Sequence, residues 1–178
     1  MKRKNYWSEK KKAPVKLVNT PVGRGLAARK AFNLGEYVVE YGGILVETKL
    51  NLNTARGVRL AGLDAGASYL LQLADDVTGE ARPAWRLGGF KKDAEQGLLG
   101  SYANDPYGRI CPETQKPLVP NVKYDMKDGI PWLVCISPIA KGQEILVDYG
   151  WGPEVWKAHL AAECRMGLVS FDNVYRLE

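Results

Sequence analysis

Histidine and cysteine are scarce in this chain of 178 residues: one histidine, His159, and three cysteines, Cys111, Cys135 and Cys164, lie scattered, with no Cys-x-x-Cys pair. A closed zinc site needs clustered ligands, and His/Cys catalysis needs both partners side by side. Neither a metal centre nor thiol chemistry is therefore expected. A disulfide stays open, but small buried or free thiols are the plainer reading. No apolar run approaches the ~20 residues of a membrane helix. The basic N-terminus is not followed by the apolar core of a signal peptide. An intracellular protein is expected, of the nucleus or the cytoplasm. Repeats and low-complexity segments are absent too.

What is present suits one globular domain. Hydrophobic residues make up 46% and charged residues 25%, the balance of a chain that can bury a core. The formal charge is +5, and the opening "MKRKNYWSEKKK" holds six basic residues against one acid. Such a run reads as a solvated tail over residues 1–13. It also suits contact with nucleic acid or chromatin, or a nuclear address. A domain over 14–152 and a C-terminal helical segment over 153–178 complete the expected layout.

The domain reads as mainly β with short helices. "VKLVNT", "EYVVEYGGILVE" and "SYLLQLA" are rich in β-branched and aromatic residues and bounded by turn residues, the pattern of strands. "DDVTGEARPAWRLGGFKKD" reads as a hairpin or insertion, and "AEQGLLGSYAND" as a short helix running into a loop. "NLNTARGVRLAGLDAG" is ambiguous between a short helix and an irregular loop. Proline and glycine make "DPYGRICPETQKPLVP" a loop. "NVKYDMK" and "IPWLVCISP" flank Asp128-Gly129, a strong hairpin signal. "AKGQEILVDYG" is a turn and a strand, and "PEVWKAHLAAECRMG" is the best helix, with Pro153 in its first turn and Gly167 at its end.

Several pieces occur in a telling order: "GRGLAA", "EYGG", "SYLLQL", "AND", "PNVKYD" and "IAKGQEILVDYGW". Together, over roughly Val15 to Trp151, they resemble the SET domain of protein lysine methyltransferases. "KGQEILVDYG" is close to that family's Lys-Gly-Glu-Glu-Leu-x-x-Asp-Tyr-Gly signature. The resemblance implies a β-clip-like fold of small sheets, with a C-terminal pseudoknot in which the asparagine segment and the final strand are threaded together, and a terminal helix closing the active site. It implies S-adenosylmethionine as cofactor, no metal, and a protein substrate carrying a lysine, such as a histone.

The transfer chemistry explains why such residues are needed. A methyl group passes from a sulfonium to a lysine amine by in-line displacement, so the amine must be neutral and aligned. Free lysine has a pKa near ~10.4, and neutralising it around pH 8 costs about 3 kcal/mol. A narrow apolar channel and a nearby sulfonium both disfavour the ammonium. Alignment supplies much of the rate.

By resemblance, Gly23, Arg24, Gly25 and Leu26 match the segment that wraps the cofactor. Asn104 matches the asparagine that contacts its methionine part, with Asp105 beside it at a position of main-chain adenine contacts. Tyr149 matches the active-site tyrosine that orients the methyl and the amine. Tyr41, Tyr69, Val147 and Trp151 match the lysine channel and the substrate strand, and Trp156 an aromatic that closes the cofactor site. Each residue also has an ordinary reading: a turn glycine, a turn asparagine, a core ring, or, for Trp156, the apolar face of a helix.

The chain departs from the family pattern at one place. Where members read Asn-His-Ser-Cys-x-Pro-Asn, it has "NDP", a long insertion and then Pro120-Asn121. Asp105 stands for the histidine, and Ser101 and Tyr102 for the usual arginine and aromatic. The insertion could cover a substrate or decorate the surface. Beside the methyltransferase, two alternatives stay in play: a SET-like module, catalytically weak, that binds a peptide or chromatin partner, and a small basic nucleic-acid-binding β protein.

Overall fold

A computed structural model describes residues 13–48, 70–74, 81–88, 94–151 and 154. Nine strands are found among them, arranged in three three-stranded sheets. The chain divides into two compact units, one of Met1–Pro14, Tyr37–Tyr102 and Tyr124–Leu133, the other of Val15–Glu36, Ala103–Lys123 and Val134–Glu178. No helix among the described residues is long and apolar enough to cross a membrane.

In the first unit, β4 (Ile44–Glu47), β5 (Leu70–Ala74) and β6 (Ala81–Leu87) form an antiparallel sheet in the order β4-β6-β5. β5 comes from "SYLLQLA", read as a strand, and β6 from the stretch read as a hairpin or insertion; the two pair antiparallel, with a register shift between Gln72 and Ala74. A second sheet, most of it counted with this unit and Val122–Lys123 and Val134–Cys135 with the other, has the order β3-β8-β7, with β3 (Tyr37–Glu40), β7 (Val122–Lys127) and β8 (Ile130–Cys135). The Asp128-Gly129 turn has both residues at positive φ, 53° and 72°, as a two-residue hairpin turn requires. Val38, Val39 and Leu133 are fully buried. Three apolar residues of this kind anchor a sheet by removing their side chains from water, each worth about 1.5–3 kcal/mol.

"EYVVEYGGILVE" does not form one strand. It divides into β3 and β4, which belong to different sheets. The break falls at Gly42 and Gly43, with φ 78° and 83°. A side chain at Gly43 would place its Cβ 2.4 Å from the Leu87 carbonyl oxygen. β-Branched content marked the extended stretches, and the glycine pair decided where the chain leaves one sheet for another.

In the second unit, β1 (Val15–Thr20) and β2 (Gly23–Ala28) form an antiparallel hairpin in full register from Val15↔Ala28 to Thr20↔Gly23. β2 is exposed near the turn and buried from Gly25 onward, and β9 (Glu144–Ile145) pairs its other edge through Leu26↔Ile145 and Ala27↔Glu144. β9 is short because the chain beyond it finds other partners. Leu146 and Val147 make parallel bridges to Asn104 and to Val122 respectively. The Val147 N–H donates to the Asn104 carbonyl at 2.9 Å, and the Asn121 N–H donates to the Leu146 carbonyl at 2.9 Å. Asn121 adds its side chain, Nδ2 donating to the Glu144 carbonyl at 2.8 Å and Oδ1 accepting from the Leu146 N–H at 2.9 Å. The last strand is thus held by residue 104 on one side and residues 121–122 on the other. It lies between these two neighbours, which the 105–120 segment joins.

The segment 94–102 opens with a short helical turn and ends in a 3-10 turn, Gly100–Tyr102. Of the expected terminal helix, Glu154 alone is described, and it is helical. The ambiguous stretch "NLNTARGVRLAGLDAG" and the basic tail up to residue 12 lie outside the described residues.

Candidate active site

The described part of the site is assembled on the second unit, around this last strand. It starts from a glycine. A Cβ added at Gly25 would sit 2.6 Å from Asn104 Nδ2, 2.8 Å from Thr20 Cγ2 and 3.1 Å from Glu144 Oε1. No side chain fits there, so glycine lets the Asn104 amide lie directly against β2.

Asn104 is fixed at both ends. Its carbonyl takes the Val147 N–H, and its Nδ2 donates to Thr20 Oγ1 at 3.3 Å and to Glu144 Oε1 at 3.2 Å. A carboxylate can only accept, so the contact with Glu144 sets which way the amide faces. Oδ1 is left with no hydrogen bond among the described residues. It is an acceptor held ready.

Glu144 is gripped in turn by a residue that sequence reasoning passed over. Arg109, from the insertion, is buried with 4% of its surface exposed. It donates Nη2 to Glu144 Oε2 at 2.8 Å and Nη1 to Oε1 at 3.2 Å, a two-pronged pair. Its Nε is buried with no partner among the described residues. The insertion is itself ordered as a small hairpin: Arg109 donates its N–H to Pro106 O, Leu118 donates to Arg109 O, and Ile110 bridges Pro117. An arginine inside a proline-rich loop, and an acid at the head of an apolar strand, were the available signals. Neither reveals its partner without the fold.

Asp105 has a structural task as well. Its Oδ2 accepts the Tyr149 N–H at 2.7 Å and its Oδ1 the Tyr107 N–H at 2.7 Å. This carboxylate therefore ties the Tyr149 main chain to the insertion. Burial pushes its pKa above the ordinary aspartate range. The N–H groups of Tyr149 and Tyr107 oppose that rise, Asp148 adds to it and Arg109 opposes it.

Tyr149 is half-buried, and its hydroxyl donates to the Ala103 carbonyl at 2.8 Å. Trp151 stacks edge-on against it, ring centres 5.4 Å apart. The next N–H, that of Gly150, caps Asp148 Oδ1 at 2.7 Å. Gly25, Asn104, Ala103 and Tyr149 thus form one continuous chain of contacts. Around Arg109, which pairs Glu144 and acts on Asp105, Asp148 adds a further negative charge near Asp105, a local acidity that favours a cationic ligand.

Other expected site residues fall in varied places. Gly23 closes the hairpin turn at φ 101° with open space over its Cα, and Arg24 is exposed. Leu26 is fully buried and its main chain is paired on both sides, with Leu17 and Ile145. Val147 is also fully buried. Tyr41 lies in the first unit, buried, with its ring edge-on to Tyr124 at 5.9 Å. Tyr69 and Trp156 lie outside the described residues.

Comparison with known proteins follows the same motifs. No curated protein matches the chain. Many solved structures are similar, these two among them. One is the methyltransferase domain of human PR domain-containing protein 2, at 18% identity and a TM-score of 0.43, covering 80% of this chain and 81% of that one. The other is ATXR5 in complex with mono-methylated histone H3.1, at 16% identity and a TM-score of 0.48, covering 78% of this chain and 58% of that one. The SET domain family model matches residues 23–150, from the β2 glycine to the glycine after Tyr149. With most of its length inside that match, the chain belongs to the SET-domain family.

Proposed function

We propose that this protein is a protein-lysine N-methyltransferase that takes its methyl group from S-adenosylmethionine and modifies a lysine of a histone or another protein. The observation that carries the reading is the Tyr149 hydroxyl. Its proton is committed to Ala103 O at 2.8 Å, so what it offers a ligand is lone-pair density. That suits a polarised methyl C–H or a lysine N–H, both of which are donors.

The described residues fit the cofactor. Asn104 Oδ1 is an open acceptor, as an α-ammonium requires, and the acidic surroundings favour a cation. Gly23 leaves open space at the turn through which a ligand can approach. When bound, S-adenosylmethionine supplies an activated methyl for in-line displacement. The protein's part is positional: Asn104 holds the methionine end, Asp105 fixes the Tyr149 main chain, and the Tyr149 oxygen aligns the reacting groups. Trp151, packed edge-on against the Tyr149 ring, helps hold that ring in place. The resemblance assigns the lysine channel to Tyr41, Tyr69, Val147 and Trp151, and cofactor closure to Trp156.

A SET-like module that binds a peptide without transferring methyl is the second reading, favoured by Asp105 in place of the histidine. Labelled-methyl transfer to core histones and to cell-lysate proteins, with mass-spectrometric mapping, separates the two. Label on lysine side chains is the expected result. Cofactor binding by calorimetry without transfer would favour the binding module, and neither binding nor transfer would remove both the enzyme and its cofactor site.

A further inference from the structure

We propose that Arg109 is a positioning residue for Asn104, acting through Glu144; the inference rests on the methyltransferase reading in so far as Asn104 meets the cofactor. The insertion then builds the site from beneath and is more than surface decoration.

The geometry runs as a relay. Arg109 holds both oxygens of Glu144, and the oxygen it reaches at 3.2 Å, Oε1, is the one that accepts Asn104 Nδ2, also at 3.2 Å. The main chain of Glu144 is already fixed, paired with Ala27 on one side and bonded to Asn121 on the other. Its carboxylate is the part still able to swing, and Arg109 removes that freedom. The Glu144 side chain is 21% exposed and that of Arg109 is 5% exposed, so the guanidinium forms the dry side of the pair.

Without the fork, the carboxylate would turn toward water and its hold on Nδ2 would loosen. The amide would then rotate, and Oδ1 would lose its fixed direction. Lysine cannot substitute fully, because a single ammonium grips one point where guanidinium grips two. Gly25 makes the arrangement sensitive, since Asn104 and Glu144 lie where its Cβ would be. The clip that delivers Arg109 is anchored by its own main-chain bonds to Pro106 and Leu118.

The test uses the full chain with Arg109→Met, Arg109→Lys, Asn104→Ala, the pair Arg109→Met/Asn104→Ala, and the pair Arg109→Met/Glu144→Gln. Affinity for S-adenosylmethionine is measured by calorimetry, and the Asn104 side-chain NH2 signals by 15N–1H NMR, assigned by their loss in Asn104→Ala. Arg109→Met should weaken cofactor binding roughly tenfold, the scale of one charge-assisted hydrogen bond, raise KM for the cofactor more than KM for the protein substrate, and shift the Asn104 amide signals. Arg109→Lys should recover part of the loss. In the Asn104→Ala background Arg109→Met should cost nothing further, because the relay has already been cut. If Arg109→Met fails to fold, Arg109→Met/Glu144→Gln removes both charges together and should show the same amide shift. An unmoved Asn104 amide, or an equal loss of affinity in the Asn104→Ala background, overturns the proposal. If the wild type binds no S-adenosylmethionine, the functional reading falls, while the amide signals alone still decide whether Arg109 positions Asn104.

Discussion

Tyr149 carries the chemistry proposed for this protein through one oxygen, and its substitution isolates that atom. Tyr149→Phe keeps the ring against Trp151 and loses the bond to Ala103 O. Leaving one part-buried carbonyl without its donor costs about 1 kcal/mol of stability. Methyl transfer should fall by roughly tenfold or more, or the number of methyls added should change, with cofactor affinity little altered. Labelled transfer with product mass analysis, beside a thermal melt, checks this, and unchanged kinetics with unchanged products would count against the role. Gly25→Ala acts on the neighbouring group: its Cβ would meet Asn104, Thr20 and Glu144 within about the distances already given. It should cost roughly 1–3 kcal/mol and weaken cofactor binding, as denaturant unfolding and calorimetry would record. Asp105 gives a pH signature. Its folded pKa is raised, chiefly by burial, so the folded protein holds that proton more tightly than the unfolded chain. The resulting stability is present below the ordinary aspartate value near ~3.9 and is lost as pH rises through the higher folded value. Wild type should therefore lose stability relative to Asp105→Asn as pH rises through that window. Urea unfolding over a pH series reads the slope, and a flat difference would show that the carboxyl is not desolvated.

At the scale of elements, the glycines and one hairpin turn determine where strands begin and end. Gly43 is the sharpest case, with φ 83° and its missing Cβ 2.4 Å from Leu87 O. Gly43→Ala combines left-handed strain with a main-chain clash and should cost at least ~2 kcal/mol, read as a lowered urea midpoint with m unchanged. A midpoint equal to wild type would mean that β3 and β4 can separate without this bend. The strands themselves were legible: "VKLVNT", "NVKYDMK" and "IPWLVC" all lie where β-branched residues and the Asp128-Gly129 turn put them. The division of "EYVVEYGGILVE" between two sheets was not, because local propensity reports extension and says nothing of partners. The two-residue length of β9 was hidden for the same reason, since Leu146 and Val147 are equally strand-like and pair elsewhere.

For the whole molecule, ligand linkage offers a test that needs no substrate. A cofactor that binds only the folded chain adds about 2.7 kcal/mol at a hundredfold excess over Kd. For a chain of this size that is a rise in Tm of roughly 5–10 °C. S-Adenosylmethionine should produce it, and Asn104→Ala should reduce it. No shift at saturating concentration would remove the cofactor from the account. The residues involved come from distant parts of the chain, Gly25, Asn104, Arg109, Glu144 and Tyr149, and meet because the last strand lies between residue 104 and residues 121–122.

The sequence by itself determined the family, the mainly β character and the identity of Asn104 and Tyr149 as candidates, because ordered motifs and β-branched runs are local signals. Tertiary structure decided what surrounds them. The opposed placement of Arg109 and Glu144, 35 residues apart, and the clamp of Asp105 on the Tyr149 main chain depend on long-range pairing that no local pattern encodes. A charge in a loop has many possible partners, and only the folded path selects one.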